Sequence, residues 1–213
     1  TLQRLTHFFA ITQTQGAQAM VDKTGTLTEP RYLAAQKESP QLRPGAQEML
    51  EFLRNKKLEP HIVSGDPDPE AQQQLQNKGL ALELESPKFC SNIQNKTDWL
   101  ERQKDATSYI VIGDGPNDQT IHLDAEEGTL KKPVSVIIIG NQTPHADFII
   151  MDPEPLQKIE LLARIAKWAV YTQQCAQALA TGLTLTFITL TFLGYISHVT
   201  ACYLLCGATA SIF

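Results

Sequence analysis

A chain of 213 residues, 42% hydrophobic and 19% charged, has room for one domain of ordinary size plus an appendage. Its net charge of −5, with no basic stripe, excludes nucleic acid as an expected partner. Cys90, Cys175, Cys202 and Cys206 form no CxxC pair and have no histidine cluster beside them. That argues against a disulfide framework or a structural zinc site and for a reducing, cytosolic face. Cys202 and Cys206 stand four apart and read as small polarisable residues of an apolar helix rather than as soft-metal ligands.

Residues 1–18 are rich in Gln and Thr with Leu2, Leu5, Phe8, Phe9 and Ile11 interspersed, which fits a short amphipathic helix or a lead-in segment. Arg4 and His7 lead into this mixed stretch rather than into the apolar core of a signal peptide. The chain begins at Thr1, as expected of a protein that lost its initiator Met or of a piece of something larger. Ala17 to Val21 reads as a buried strand running into the loop Asp22–Thr28. A polar stretch from Glu29 to Arg43 follows. Pro44-Gly45 then opens a helix over Ala46–Lys57, with Met49, Leu50, Phe52 and Leu53 as its apolar face.

His61–Val63 is a second strand, ending at Ser64-Gly65-Asp66. Pro69 begins a Gln-rich helix that stops near Gly79, and Leu80–Leu84 is a candidate third strand. Thr97–Lys104 reads as helix, and Tyr109–Ile112 as a strand ending at Gly113-Asp114-Gly115. Val134–Ile139 and Phe148–Met151 are two more apolar runs. Strands alternating with helices predict a mostly parallel α/β sheet. Such sheets bind ligands at the carboxyl ends of their strands, and the three polar loops Asp22–Thr28, Ser64–Asp66 and Gly113–Asp118 all follow strand ends.

Beyond Pro155, Leu156, Ile159, Leu162, Ile165, Ala166, Ala169 and Val170 recur at helical spacing, and the helix is expected to continue into Leu179–Ser197. No Asp, Glu, Lys or Arg occurs from Cys175 to Phe213. The first apolar run suits a bilayer crossing of about 20 residues, whereas Val199–Phe213 is short for one. Lys158, Arg164 and Lys167 precede the run and no basic residue follows it, which places the globular part on the cytoplasmic side. A buried helix pair is the soluble alternative, favoured by Thr181, Thr184, Thr186, Thr189 and Thr191.

The polar loops carry the parts that phosphoryl transfer to a carboxylate requires: a nucleophile, a metal site, a fixed cation and donors to phosphate oxygens. Asp22 can attack phosphorus. Asp114 can hold a Mg²⁺ ion with Asp22, because hard carboxylate oxygens suit that ion. The Ser64 hydroxyl and the Gly65 amide can bind phosphate oxygens. Lys96 can supply the positive charge, with Lys88 and Lys104 as rivals nearby. Asn117 and Asp118 can orient the phosphate and the metal shell. His61 and His122 read as packing or surface residues.

Asp22-Lys23-Thr24-Gly25-Thr26-Leu27-Thr28 closely resembles the phosphorylation motif of P-type ATPases, a branch of the haloacid dehalogenase superfamily. Ser64-Gly65-Asp66 looks like that family's TGD motif with Ser for Thr, and Gly113-Asp114-Gly115-Pro116-Asn117-Asp118 matches its GDGxND motif. Lys96 lies at about the family spacing ahead of the latter. The resemblance implies a Rossmann-like haloacid dehalogenase fold over residues 19–155. It also implies a stalk-like amphipathic helix over 156–178 and a membrane-associated apolar segment over 179–213. Asp22, Thr24 and Lys96 would be catalytic, and Ser64, Gly65 and Asn117 would bind phosphate. Asp22, Thr24, Asp114 and Asp118 would form the Mg²⁺ site, and the partner would be a phosphorylated small molecule or phosphoryl donor.

The departures are informative. Family pumps insert a nucleotide-binding domain between the first two motifs, whereas 35 residues separate Thr28 from Ser64 here. The TGES loop of the actuator is absent from this sequence, so the chain alone is not expected to couple ATP hydrolysis to transport. Thr24 stands two residues after the nucleophile, where many phosphatases of the superfamily carry an Asp acid/base, so hydrolysis of an aspartyl-phosphate is expected to be slow. The alternatives are a non-transporting accessory subunit docked on a larger membrane complex, and one fragment of a split pump.

Overall fold

A computed structural model describes residues 1–28, 42–64, 88–90, 95–140 and 145–212. The expected helix from Pro69 to Gly79, the expected strand Leu80–Leu84, and Gly65 and Asp66 lie outside these residues. Two compact units are distinguished, Thr1–Ile165 and Ala166–Phe213.

The first unit holds a six-stranded sheet in the order β3-β2-β1-β4-β5-β6, every neighbouring pair parallel. Its strands are β1 (Ala17–Asp22), β2 (Glu59–Val63), β3 (Lys88–Cys90), β4 (Ser108–Gly113), β5 (Val134–Ile139) and β6 (Phe148–Ile150). Burial on both faces of a parallel sheet demands near-continuous apolar runs. β1, β4 and β5 are buried at every position, and β5 reads Val-Ser-Val-Ile-Ile-Ile. The expected α/β architecture is present, and β3 is a strand that the sequence reading did not identify.

Helix α1 (Leu2–Gln13) resolves the amphipathic-helix alternative in its favour: Phe8 and Ile11 are buried. The Phe8 ring meets Phe148 edge-on at 5.5 Å, and the Arg4 guanidinium donates to the Ala146 carbonyl at 2.8 Å. Helix α2 (Ala46–Asn55) buries Ala46, Met49, Leu50 and Leu53. It ends two residues before the expected Lys57, because Lys57 adopts a left-handed conformation with φ 60°. Helix α3 (Lys96–Arg102) starts one residue earlier than expected, since the Asn95 side chain caps it by accepting from the Asp98 amide at 3.1 Å.

Helix α4 (Pro116–Glu126) replaces what was read as loop as far as Asp118, with Pro116 at the first helical position. α3, α4 and the sheet enclose a core of Met20, Val63, Trp99, Leu100, Tyr109, Val111, Ile121, Val136 and Ile138. The alternate residues of β4, Ile110 and Ile112, are equally buried, so both faces of the central sheet are covered.

A 3₁₀ turn, Pro155–Gln157, leads into α5 (Lys158–Phe192), a 35-residue helix. It does not continue to Ser197 as expected. Gly194 at φ 78° lets the Gly194 amide donate to Thr191 and the Tyr195 amide to Leu190, which closes the helix with a Schellman motif. Ser197 then starts α6 (His198–Ile212), its Oγ accepting from the Thr200 amide at 3.1 Å. The segment Pro155–Phe192 is long and apolar enough to cross a membrane. In its apolar half, the hydroxyls of Thr184, Thr186, Thr189 and Thr191 each donate to the carbonyl four residues back, all at 2.8 Å. These four threonines therefore carry no unsatisfied donor.

Candidate active site

β1 is flanked by β2 on one side and β4 on the other, with Asp22 level with Val63 and Val21 level with Ile112. This is the point where strand order runs both ways, and it sets Asp22, Ser64 and Asp114 side by side at the carboxyl edge. After Asp22 the chain turns sharply. The Leu27 and Thr28 amides both donate to the Lys23 carbonyl at 3.0 Å, and the Thr28 hydroxyl joins them at 3.1 Å.

Gly25, at φ 85°, makes that turn possible and allows Asp114 to approach: a Cβ at Gly25 would stand 1.9 Å from Asp114 Oδ2. A Cβ at Gly113 would likewise stand 2.1 Å from Asp118 Oδ2. Gly25→Ala is expected to destabilise the protein by about 1–2 kcal/mol through its backbone alone. It should also push Asp114 aside, so thermal melts should show a lower Tm and little response to added Mg²⁺.

Four charged groups meet at this edge. Lys96 Nζ donates to Asp22 Oδ1 at 2.7 Å and to Asp118 Oδ1 at 2.6 Å, bridging the two carboxylates. Oxygens of Asp22, Asp114 and Asp118 lie within 4.8 Å of one another. Asp118 is fixed further by the Gly115 amide, which donates to Oδ2 at 3.3 Å, and Asp114 by the Thr26 hydroxyl, which donates to Oδ1 at 3.3 Å. The Thr97 hydroxyl donates to Asp124 Oδ2 at 2.6 Å, which ties the start of α3 to α4.

Burial raises the Asp22 pKa to about 6; Lys96 opposes the rise, and Asp118 and Asp114 add to it. Asp114 is raised by burial and by Asp118, against the Thr26 hydrogen bond, Arg43 and Lys96. Burial alone would lower Lys96, but its two carboxylate partners outweigh it and hold the amine above its ordinary value. Three carboxylates thus face one ammonium, and the excess negative charge is the electrostatic requirement of a cation site. All-oxygen donors of this kind suit Mg²⁺.

Of the three lysines weighed from sequence, Lys96 stands at the cluster and Lys104 is exposed in the turn after α3. Ser64 is buried directly after β2. Thr24 is half-buried, its backbone bridged to Thr28, and its side chain makes no hydrogen bond among the described residues. Asn117 is exposed in the first turn of α4 and is not part of the charged cluster. Sequence reasoning missed Thr26, whose place inside the first motif was the available signal, and Arg43, for which only its position before Pro44-Gly45 could have served.

A parallel sheet with Asp22 and Asp114 at the carboxyl ends of its two central strands, and a lysine that ties Asp22 to Asp118, defines a phosphohydrolase-type fold. The haloacid dehalogenase-like hydrolase family matches residues 6–119, more than half of the chain, and the chain belongs to that family.

Among solved structures, a zinc-transporting PIB-type ATPase in its E2.Pi state is similar over 82% of this chain at 21% identity, with a TM-score of 0.63. The chain spans 27% of that ATPase's length. The catalytic domain of the CPx-ATPase CopB-B aligns over 74% of this chain and 93% of its own, at 17% identity and TM-score 0.51. The cobalt-bound form of a deoxy-D-mannose-octulosonate 8-phosphate phosphatase from Haemophilus influenzae aligns over 73% of this chain and 91% of its own, at 13% identity and TM-score 0.53. These likenesses show the fold. No curated protein sequence matches the chain.

Proposed function

We propose that this protein is a Mg²⁺-dependent phosphohydrolase of the P-type-ATPase-like kind, held at a membrane by α5 and forming an aspartyl-phosphate on Asp22. The carrying observation is the Lys96 bridge from Asp22 to Asp118, with Asp114 in the same cluster. An Asp22 oxygen attacks the phosphorus of a small phosphorylated compound, the bond from phosphorus to the leaving oxygen breaks, and water later releases inorganic phosphate. Lys96 orients the Asp22 carboxylate and holds Asp118 in place. The Ser64 hydroxyl and Gly65 amide receive phosphate oxygens, with Asn117 at the rim. Asp22, Asp114, Asp118 and the Thr24 position would hold Mg²⁺, which supplies charge neutralisation for the phosphoryl group. Thr24 offers no efficient base for the water, so the second step is slow.

The membrane part rests on α5. Its last charged residue is Lys167, and residues 168–192 would extend about 37 Å, enough for a hydrocarbon core of about 30 Å. Lys158, Arg164 and Lys167, which precede the apolar run, support a cytoplasmic position for the catalytic unit. Trp168, Tyr171 and Phe192 of this helix are exposed, as is Tyr195 just after it, which favours a second reading alongside the first: docking on other membrane helices as an accessory subunit or as part of a larger pump.

The test uses the full chain mixed with liposomes. It should float with them, and with Mg²⁺ and radiolabelled acetyl phosphate it should take up acid-stable label on Asp22 that chelator prevents. Absence of label on Asp22 would remove the enzymatic reading and leave the accessory one.

A further inference from the structure

One cation near the cluster has no role in the site as described. Arg43 is rooted beside the nucleophile loop although it stands far along the chain from Asp22. Leu42 bridges antiparallel to Thr28, and the Arg43 amide donates to the Leu27 carbonyl at 2.8 Å. The Arg43 carbonyl accepts from Ala46 at 3.2 Å as α2 begins. Gly45, at φ 82°, caps the start of α2 with Gln157 packed close against it. The residue therefore has little freedom to move away from the loop.

One of its side-chain donors, Nε, is buried without a hydrogen-bond partner. Lys96, in contrast, is committed to two carboxylates at 2.7 and 2.6 Å. A buried donor left unmade destabilises the folded state, a penalty that an acceptor reaching it would remove. The guanidinium is near enough to bear electrostatically on Asp114. With three carboxylates and one committed ammonium at the edge, a positive group in addition to the Mg²⁺ ion would favour an incoming phosphoryl dianion. A planar guanidinium fork matches two phosphate oxygens at once.

We propose that Arg43 is the anion receptor of this site, its guanidinium taking non-bridging oxygens of the substrate's phosphoryl group from the Asp114 side. This rests on the phosphohydrolase reading and narrows it: the substrate is recognised through its phosphoryl dianion by an arginine contributed from between the first two motifs. Substrates whose phosphate is esterified twice, and so carry one charge fewer, should be excluded.

Calorimetric binding of inorganic phosphate to the full chain in detergent with Mg²⁺, for wild type, Arg43→Gln and Arg43→Lys, tests it. Losing a charge-assisted hydrogen bond should weaken phosphate binding about tenfold to hundredfold in Arg43→Gln. Arg43→Lys, which keeps the charge but not the fork, should fall between the two and serves if the Gln variant does not fold. For acetyl phosphate, KM should rise more than kcat falls, while the Mg²⁺-induced rise in Tm persists. Unchanged phosphate affinity in a folded variant, with the wild type binding, overturns the role of Arg43 alone. A wild type that binds no phosphate overturns the phosphohydrolase reading as well.

Discussion

Asp22→Asn is expected to abolish label uptake from acetyl phosphate and, at neutral pH without a divalent cation, to make the protein more stable than the wild type. The first result follows because an amide cannot attack phosphorus in place of a carboxylate. The second follows from the direction of the Asp22 shift. Its folded-state pKa of about 6 lies above the ordinary 3.8, with burial the largest cause. The folded state then binds a proton more tightly than the unfolded one, so the contribution of this group to stability is greatest below the unfolded pKa. It declines as pH rises between about 4 and 6, with the full penalty present above that window.

A shift of this size corresponds to about 3 kcal/mol, with the opposing help of Lys96 already included. The Asn variant should recover about 1–3 kcal/mol of it, because Lys96 keeps its 2.6 Å bond to Asp118. Denaturant unfolding in chelator should therefore give curves that coincide near pH 4 and separate up to pH 6, with the variant higher. Asp114, also raised, is present in both proteins, and losing the Asp22 charge that repels it eases its ionisation in the variant, which acts in the same direction. Added Mg²⁺ should reverse the order, since a ligand that binds only the folded wild type stabilises it by mass action. A wild type more stable than the variant at pH 7.5 in chelator would refute the account.

The parts of this site that the sequence made legible are those carried by strand ends. Ala17–Val21 and Val134–Ile139 are apolar at nearly every position, as strands buried on both faces must be, and polar residues directly after a strand could be placed at the sheet edge without coordinates. What escaped depended on events outside that pattern. α4 buries only Asp118, Ile121 and His122, two of them polar, so its helical period is masked and its first turn read as loop. β3 spans three residues, too few for an alternation to show.

The Lys96 bridge joins residues 74 and 22 positions away and depends on where α3 begins. Asn95, rather than a residue later in the chain, caps that helix, so Lys96 is its first residue. Motif spacing favoured Lys96 but left Lys88 and Lys104 as rivals, and the cap is what separates Lys96 from Lys104. The end of α5 turned on Gly194, one residue whose left-handed conformation matters more than the apolar character of its neighbours.

Lys96→Met should have the largest effect on stability of any single change at the site. Removing one member of a buried ion pair leaves uncompensated charge, at a cost of about 3–5 kcal/mol, and here two carboxylates lose the same partner. The Lys96 pKa is raised above its ordinary 10.5, so its stabilising contribution is intact below that value and is lost only as pH rises through the folded pKa. Lys96 itself therefore contributes no slope between pH 5 and 8. The slope of the variant comes from the carboxylates. With the opposing Lys96 charge gone, Asp22 should hold its proton to still higher pH. The variant should be least stable near pH 8 and recover towards pH 5, where Asp22 is neutral. Mg²⁺ should restore part of the loss at pH 8 by supplying positive charge to the same oxygens, yet catalysis should stay at background because Asp22 and Asp118 are no longer oriented. Lys104→Met, on an exposed residue, should change stability by less than about 0.5 kcal/mol and leave label uptake intact. Equal effects of the two substitutions would mean that Lys96 is another surface lysine and that the bridge does not organise the site.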